Sequence, residues 1–266
     1  MSFLIVIPAR YASTRYPGKP LVSLKGAGGQ AKTLLQRSWE AACAVEGEPR
    51  VVVATDDARI KDAAEAFGAE VVMTSPEAAN GTERVAEAYA RLGETFDVVV
   101  NLQGDAPLTP AWFVQDLVAA LRATPGADVA TPVLRCDGRA LNGFLEDRKA
   151  GRVGGTTAVF DSERRGLYFS KEVIPFTPSP YADEDDTPVW HHVGCYAYRP
   201  GALAEYPTWP AGTLETLEGL EQLRFIERGV AVLCVEVDGQ GRQFWELNNP
   251  EDVDRIEAIL TELNID

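Results

Sequence analysis

Two short segments carry residue types suited to phosphate chemistry. The first reads Pro8-Ala9-Arg10-Tyr11-Ala12-Ser13-Thr14-Arg15-Tyr16-Pro17-Gly18-Lys19-Pro20. Its small residues let the backbone approach a ligand, and Arg10, Arg15 and Lys19 can converge on a polyphosphate. Arginine offers phosphate oxygens a planar fork, and lysine supplies a point charge. Offsetting charge on the transferred and departing phosphates is what such a site must do. The competing reading is a plain basic surface loop; two prolines and a glycine at fixed points favour a shaped one. Neither G-x-G-x-x-G nor G-x-x-x-x-G-K-[ST] occurs there, so neither a dinucleotide fingerprint nor a P-loop is indicated. The second segment, Asn101-Leu102-Gln103-Gly104-Asp105-Ala106-Pro107-Leu108, sets a carboxylate just past an apolar run. Magnesium takes oxygen ligands, often one or two carboxylates completed by substrate phosphates. Asp105 is therefore the candidate Mg2+ ligand. An Asp after Gly is on its own more often a turn residue, and the pairing with the basic loop tips the balance.

The elements that must position these loops alternate in type. Residues 3–7 read as a buried strand, 33–44 as a helix, 51–55 as a strand, and 57–68 as a helix that Gly68 terminates. A strand over 70–74, a helix over 82–92, a strand over 96–102, a helix over 112–123 and a strand over 127–133 continue the rhythm. Such alternation implies a mostly parallel sheet with helices on both faces, and ligands on such sheets bind beyond the carboxyl ends of the strands. Both chemical segments occupy such ends.

The rhythm changes near residue 135. Residues 136–155 read as a loop or broken helix, and short strands are expected at 156–161, 166–170 and 192–198. A proline- and acid-rich surface excursion follows over 175–188. Residues 214–228 read as a helix, 230–237 as a strand and 250–263 as a terminal helix with Pro250 in its first turn. The expected organisation is one α/β domain over 1–266. It divides into a part over about 1–135 that carries both chemical segments, a part over about 136–245, and a C-terminal helix over 246–266 returning to the core. The second half carries a smaller antiparallel section.

Composition narrows the partners. A net charge of −15 disfavours nucleic acid and anionic membrane. Yet residues 1–39 hold six cations (Arg10, Arg15, Lys19, Lys25, Lys32, Arg37) and no acid, which points to an anion, with a solvated face as the alternative. No membrane span or signal peptide is read, so a cytoplasmic protein is expected. The four scattered cysteines read as buried small hydrophobes rather than a disulfide or zinc framework.

The segment from Ile7 to Leu21 closely resembles the opening of 3-deoxy-manno-octulosonate (Kdo) cytidylyltransferases. The resemblance continues through Val53-Ala-Thr-Asp-Asp57, Phe67-Gly68, Val72-Met-Thr74, Gly81-Thr-Glu-Arg84 and Asn101 to Leu108. It resumes at Leu167-Tyr-Phe-Ser170, Ile174-Pro175, His192-Val-Gly194, Tyr196-Ala-Tyr-Arg199 and Leu220-Glu-Gln-Leu-Arg224. It implies a Rossmann-like nucleotidyltransferase fold, CTP and an acidic sugar as substrates, magnesium, and a homodimer. By that resemblance Ala9 and Arg10 contact the cytosine side, Arg15 and Lys19 hold phosphates, Thr82 and Gln103 line the nucleotide pocket, and Asp105 binds magnesium. His192, Tyr196, Glu221 and Gln222 would face the sugar acid. His191 and His192 are adjacent, so on a strand they point to opposite faces and at most one enters the site; His192 is the choice.

Four departures cluster on the sugar and second-metal side. Ala106 stands where the family usually has Glu, and residues 152–157 replace its Asn-Pro-Asn stretch. Lys171 replaces an Arg on the sugar side, and Asn248 replaces the Asp expected as second metal carboxylate. Two alternatives to Kdo cytidylylation follow: the same chemistry on another acidic sugar, or a paralogue that binds nucleotide without catalysis.

Overall fold

A computed structural model describes residues 2–12, 16–104, 107–153, 155–242, 247 and 249–266. They form two compact units, one of residues 1–118 with 239–266 and the other of residues 119–238.

The first unit is built on parallel strands. β1 (Phe3–Ala9) leads through a hairpin, β2 (Ser23–Lys25) and β3 (Ala31–Thr33), into α1 (Leu34–Cys43). Then come β4 (Arg50–Thr55), α2 (Ala58–Ala66), β5 (Glu70–Met73), α3 (Gly81–Leu92) and β6 (Val98–Leu102). β1 pairs in parallel with β4 and β6, and β4 with β5, giving the order β5-β4-β1-β6. Leu4, Ile5, Val6, Ile7, Val52, Val53, Val98, Val99 and Val100 are fully buried, which explains why these strands read as continuous apolar runs. Each such side chain contributes about 1.5–3 kcal/mol of burial. Helix starts are capped: Thr33, Asp57 and Asn80 accept the backbone N–H of Gln36, Arg59 and Glu83. α4 (Ala111–Ala123) runs out of this unit.

The hairpin is one element that the sequence pattern did not reveal. It accounts for part of the basic amino-terminal run. Lys32 pairs with Glu40 at 2.7 Å and donates to the Asp266 carbonyl, and the Lys25 N–H donates to Glu257. Arg37 is buried and donates to the Leu24 carbonyl. The side chains of Lys32 and Arg37 are thus engaged with the chain's own acids and backbone.

The second unit is chiefly antiparallel. It holds β7 (Val129–Asp137), α5 (Gly138–Lys149), β8 (Thr156–Phe160), β9 (Gly166–Ser170), β10 (Asp186–His192) and β11 (Cys195–Tyr198). α6 (Pro200–Glu205), α7 (Thr213–Glu218), α8 (Leu223–Glu227) and β12 (Val232–Glu236) complete it. Val133 is shared by β10 and β12, and Ala130 by β11 and β12. β12 therefore takes one edge of β7, and β10 with β11 the other. β8 pairs with β10, and β9 with β8. α9 (Asp252–Glu262) belongs to the first unit. Among the described residues no helix is long and apolar enough to cross a membrane.

Five expectations are corrected. Residues 138–149 form a helix, because Asp137 caps the Ala140 N–H and Leu141 is buried with Cys136 and Val189. The expected helix over 214–228 is two: Gly219 takes φ 62, a left-handed conformation suited to glycine, and α7 stops there. Cys43 is exposed, whereas Cys136, Cys195 and Cys234 are buried as expected. The strand expected over 192–198 is interrupted at Val193 and Gly194, and β10 begins at Asp186, inside the expected excursion.

Candidate active site

In the first unit the carboxyl ends of β1, β4, β5 and β6 carry the loops that matter. Ala9 ends β1, paired with Thr55, and is buried, so it can offer a ligand only backbone. Arg10 follows and is exposed. The chain then closes on itself: the Gly18 N–H donates to the Tyr11 carbonyl at 2.9 Å, bracketing Arg15, which lies outside the described residues. Gly18 has φ 73, and a Cβ there would meet the Tyr11 ring at 3.1 Å, so both conformation and space call for glycine. The Arg59 guanidinium, which is paired with Asp57, lies over the Tyr11 ring 3.3 Å from its centroid. Lys19 opens the 3-10 turn Lys19–Leu21 immediately after Gly18.

α3 packs against β1. Thr82 is fully buried, and Arg84, 3% exposed, lies 3.2 Å from Asp56 and 2.5 Å from the Thr74 hydroxyl. Burial lowers the Arg84 pKa; Asp56 opposes that shift, and Arg10 adds to it by like-charge repulsion. Arg10 therefore lies close enough to the α3 start for its charge to be felt there. An anion between them would relieve the repulsion.

β6 delivers the second segment. Gln103 is half-buried, and a Cβ added at Gly104 would stand 3.0 Å from the Pro8 carbonyl oxygen. The ends of β1 and β6 thus approach closely, which favours glycine at 104. Asp105 and Asn248 lie outside the described residues. Their chain neighbours Leu108 and Leu247 are members of one buried cluster with Leu24, Leu34 and Ile256, against which Tyr16, the neighbour of Arg15, also packs. Among the described residues no group of three or more His, Cys, Asp or Glu is arranged so that it could hold a metal ion.

The second unit holds the residues expected at the sugar. The Tyr196 hydroxyl donates to Gln222 Oε1 at 3.0 Å. Gln222 is 1% exposed, and its Nε2 has no partner among the described residues, a donor awaiting an acceptor. His192 packs on Phe169 and Tyr196 with centroids 5.0 and 5.6 Å away, whereas His191 lies against Phe144. His192 Nε2 is 2.9 Å from the Thr131 hydroxyl, whose own proton goes to the Cys195 carbonyl. Nε2 must then be the protonated nitrogen, leaving Nδ1 as acceptor. Glu221 is half-buried, and its carbonyl accepts from Tyr206. The Lys171 N–H donates to Glu218. Thr131, Glu218 and Arg84 were not singled out from sequence; each acts through a partner distant in the chain, which no local motif reveals.

Burial pushes the His192 imidazole down to about 3, with His191 adding to the shift. The unfolded chain therefore binds a proton below the usual value of 6.5 that the folded chain refuses. Stability is complete above that value and is lost as pH falls toward 3, by up to about 1.4 kcal/mol per pH unit from this residue. Urea unfolding between pH 4.5 and 7 should give a steeper stability slope for the native chain than for His192→Gln. Equal slopes would refute the buried neutral imidazole.

A parallel α/β unit with a basic loop and a carboxylate-bearing loop at adjoining strand ends defines a nucleotidyltransferase. The chain belongs to the cytidylyltransferase family, whose model matches residues 4–233. It is 43% identical to the "3-deoxy-manno-octulosonate cytidylyltransferase" of Maricaulis maris, over 98% of this chain and 97% of that protein. It is 40% identical to the "8-amino-3,8-dideoxy-manno-octulosonate cytidylyltransferase" of Shewanella piezotolerans, over 98% and 99% of the two chains. Among solved structures it resembles a CMP:2-keto-3-deoxy-manno-octonic acid synthetase complexed with CTP, with TM-score 0.81, 31% identity, and coverage of 99% and 100%.

Proposed function

We propose that the chain transfers CMP from CTP to the anomeric hydroxyl of 3-deoxy-manno-octulosonate, releasing pyrophosphate. The hydroxyl oxygen attacks the α-phosphorus in line. The new O–P bond replaces the bond to the β-phosphate oxygen, and the hydroxyl proton leaves to solvent. No covalent enzyme intermediate is needed. The observation that carries this reading is the close approach of Gly104 to Pro8, which joins the exits of the two chemical loops.

Arg10, Arg15 and Lys19 are the proposed phosphate and nucleotide contacts. The backbone of Ala9 serves the base, with Thr82 and Gln103 lining its pocket. His192, Tyr196, Glu221, Gln222 and Lys171 are the proposed acceptor side. A neutral His192 with a free acceptor nitrogen suits a sugar hydroxyl, and Lys171 suits the sugar carboxylate. Magnesium is the proposed cofactor, held by Asp105 and by the uncharged amide oxygen of Asn248. That donor set fits a hard cation completed by phosphate oxygens. When bound, the ion would offset charge on the triphosphate. A cytoplasmic homodimer completes the proposal.

One second reading has specific support: relatives near 40% identity carry the 8-amino name. Comparing kcat/KM for the two sugars decides between them. We expect Kdo to be the better substrate. A clear preference for the 8-amino sugar would favour the second reading, and CTP binding without product from either would leave only a nucleotide-binding paralogue.

A further inference from the structure

We infer that Glu218 is a positioning residue for the acceptor side, tying the end of β9 to the elbow that presents Glu221 and Gln222. This rests on the acceptor-side reading above. The Glu218 carboxylate accepts three hydrogen bonds from one short segment: the Ser170 hydroxyl at 2.7 Å, the Lys171 N–H at 2.9 Å and the Tyr168 hydroxyl at 3.2 Å. Ser170 in turn accepts from the Glu172 N–H at 3.0 Å, so its hydroxyl proton is directed at Glu218.

Glu218 is also the last residue of α7. Gly219 turns the chain at once, and a Cβ there would be 3.0 Å from Lys171 Nζ, so the ammonium sits over the elbow. Three residues later Gln222 accepts from Tyr196. The other side of the elbow is braced separately, by Glu215 with Arg224 and by Tyr206 donating to the Glu221 carbonyl. Removing Glu218 therefore leaves the fold of the elbow supported but frees its register against Lys171.

Glu218 holds the backbone of Lys171, whose ammonium lies near Gly219. A carboxylate can take these three bonds at once, whereas a glutamine oxygen can take only some of them.

The test is steady-state kinetics with CTP and Kdo varied in turn, on the native chain, Glu218→Ala and Glu218→Gln. We expect Glu218→Ala to raise KM for Kdo about tenfold, with KM for CTP changed less than about twofold and kcat less affected than the Kdo KM. Glu218→Gln should recover part of the loss. Ser170→Ala, which removes only the shortest of the three bonds, should move the same parameter in the same direction and serves if Glu218→Ala does not fold. An unchanged Kdo KM, or equal changes in both KM values, would overturn the inference while leaving the proposed reaction standing. Absence of product from the native chain with every sugar acid would overturn both.

Discussion

Asp105→Ala is expected to lower kcat for CMP transfer by about a thousandfold while leaving the thermal midpoint nearly unchanged. The proposed reaction has little covalent chemistry for the protein to perform, so its rate depends on placing and neutralising phosphate charge. Asp105 is the one acid in the loop that Gly104 sets against Pro8, and Lys19 and Arg15 cannot replace the negative ligand a magnesium ion needs. Asp105→Asn should retain shape and still lose most of the rate, because an amide oxygen binds the cation without charge. The same logic predicts that Asn248→Asp lowers the magnesium concentration needed for half-maximal rate. Asp105→Ala activity within a few fold of the native chain would remove this residue from the metal site.

The second large effect concerns stability. Arg224→Met should lower the unfolding free energy by about 3–5 kcal/mol. Arg224 is 3% exposed and bonds Glu215 through two nitrogens, at 2.6 and 2.7 Å. Deleting it strands a buried carboxylate beside Tyr206. Glu215→Leu in the same chain should restore most of the loss, since removing both charges removes the orphan. Urea unfolding of the two single variants and the double variant measures this. A double variant no more stable than Arg224→Met would contradict the pairing.

The same ion pair shows what the sequence could and could not convey. In an unbroken helix, residues 215 and 224 would be about 13.5 Å apart along the axis and on opposite faces. They meet only because Gly219 breaks the helix, and a glycine's left-handed φ cannot be told from its name. The first half was legible because β1, β4 and β6 are buried on both faces and appear as unbroken apolar runs between turn residues. α5 escaped notice because Asn142 and Gly143 weaken its pattern, and packing against Cys136 and Val189 holds it. The β2–β3 hairpin escaped for another reason: its strands are three residues each, and its loop is secured by the far end of the chain, with Ala27 donating to the Ile265 carbonyl.

For the proposed site, the segment from Arg10 to Lys19 and the run Gln103-Gly104-Asp105 could be put forward from sequence because their residue types are contiguous there. The supports of His192 and Lys171 were not. Thr131 is 61 residues from His192 and Glu218 is 47 from Lys171, and their pairing exists only once the second unit has folded. The adjacent histidines did follow the strand rule, His191 against Phe144 and His192 against Phe169.

The most direct measurement is phosphorus NMR of the purified chain with CTP, magnesium and Kdo. The account predicts a phosphodiester signal from a CMP-linked sugar growing in equal amount with pyrophosphate, and neither appearing when the sugar is withheld. Intact CTP, or free CMP released at the same rate with and without the sugar, would contradict it.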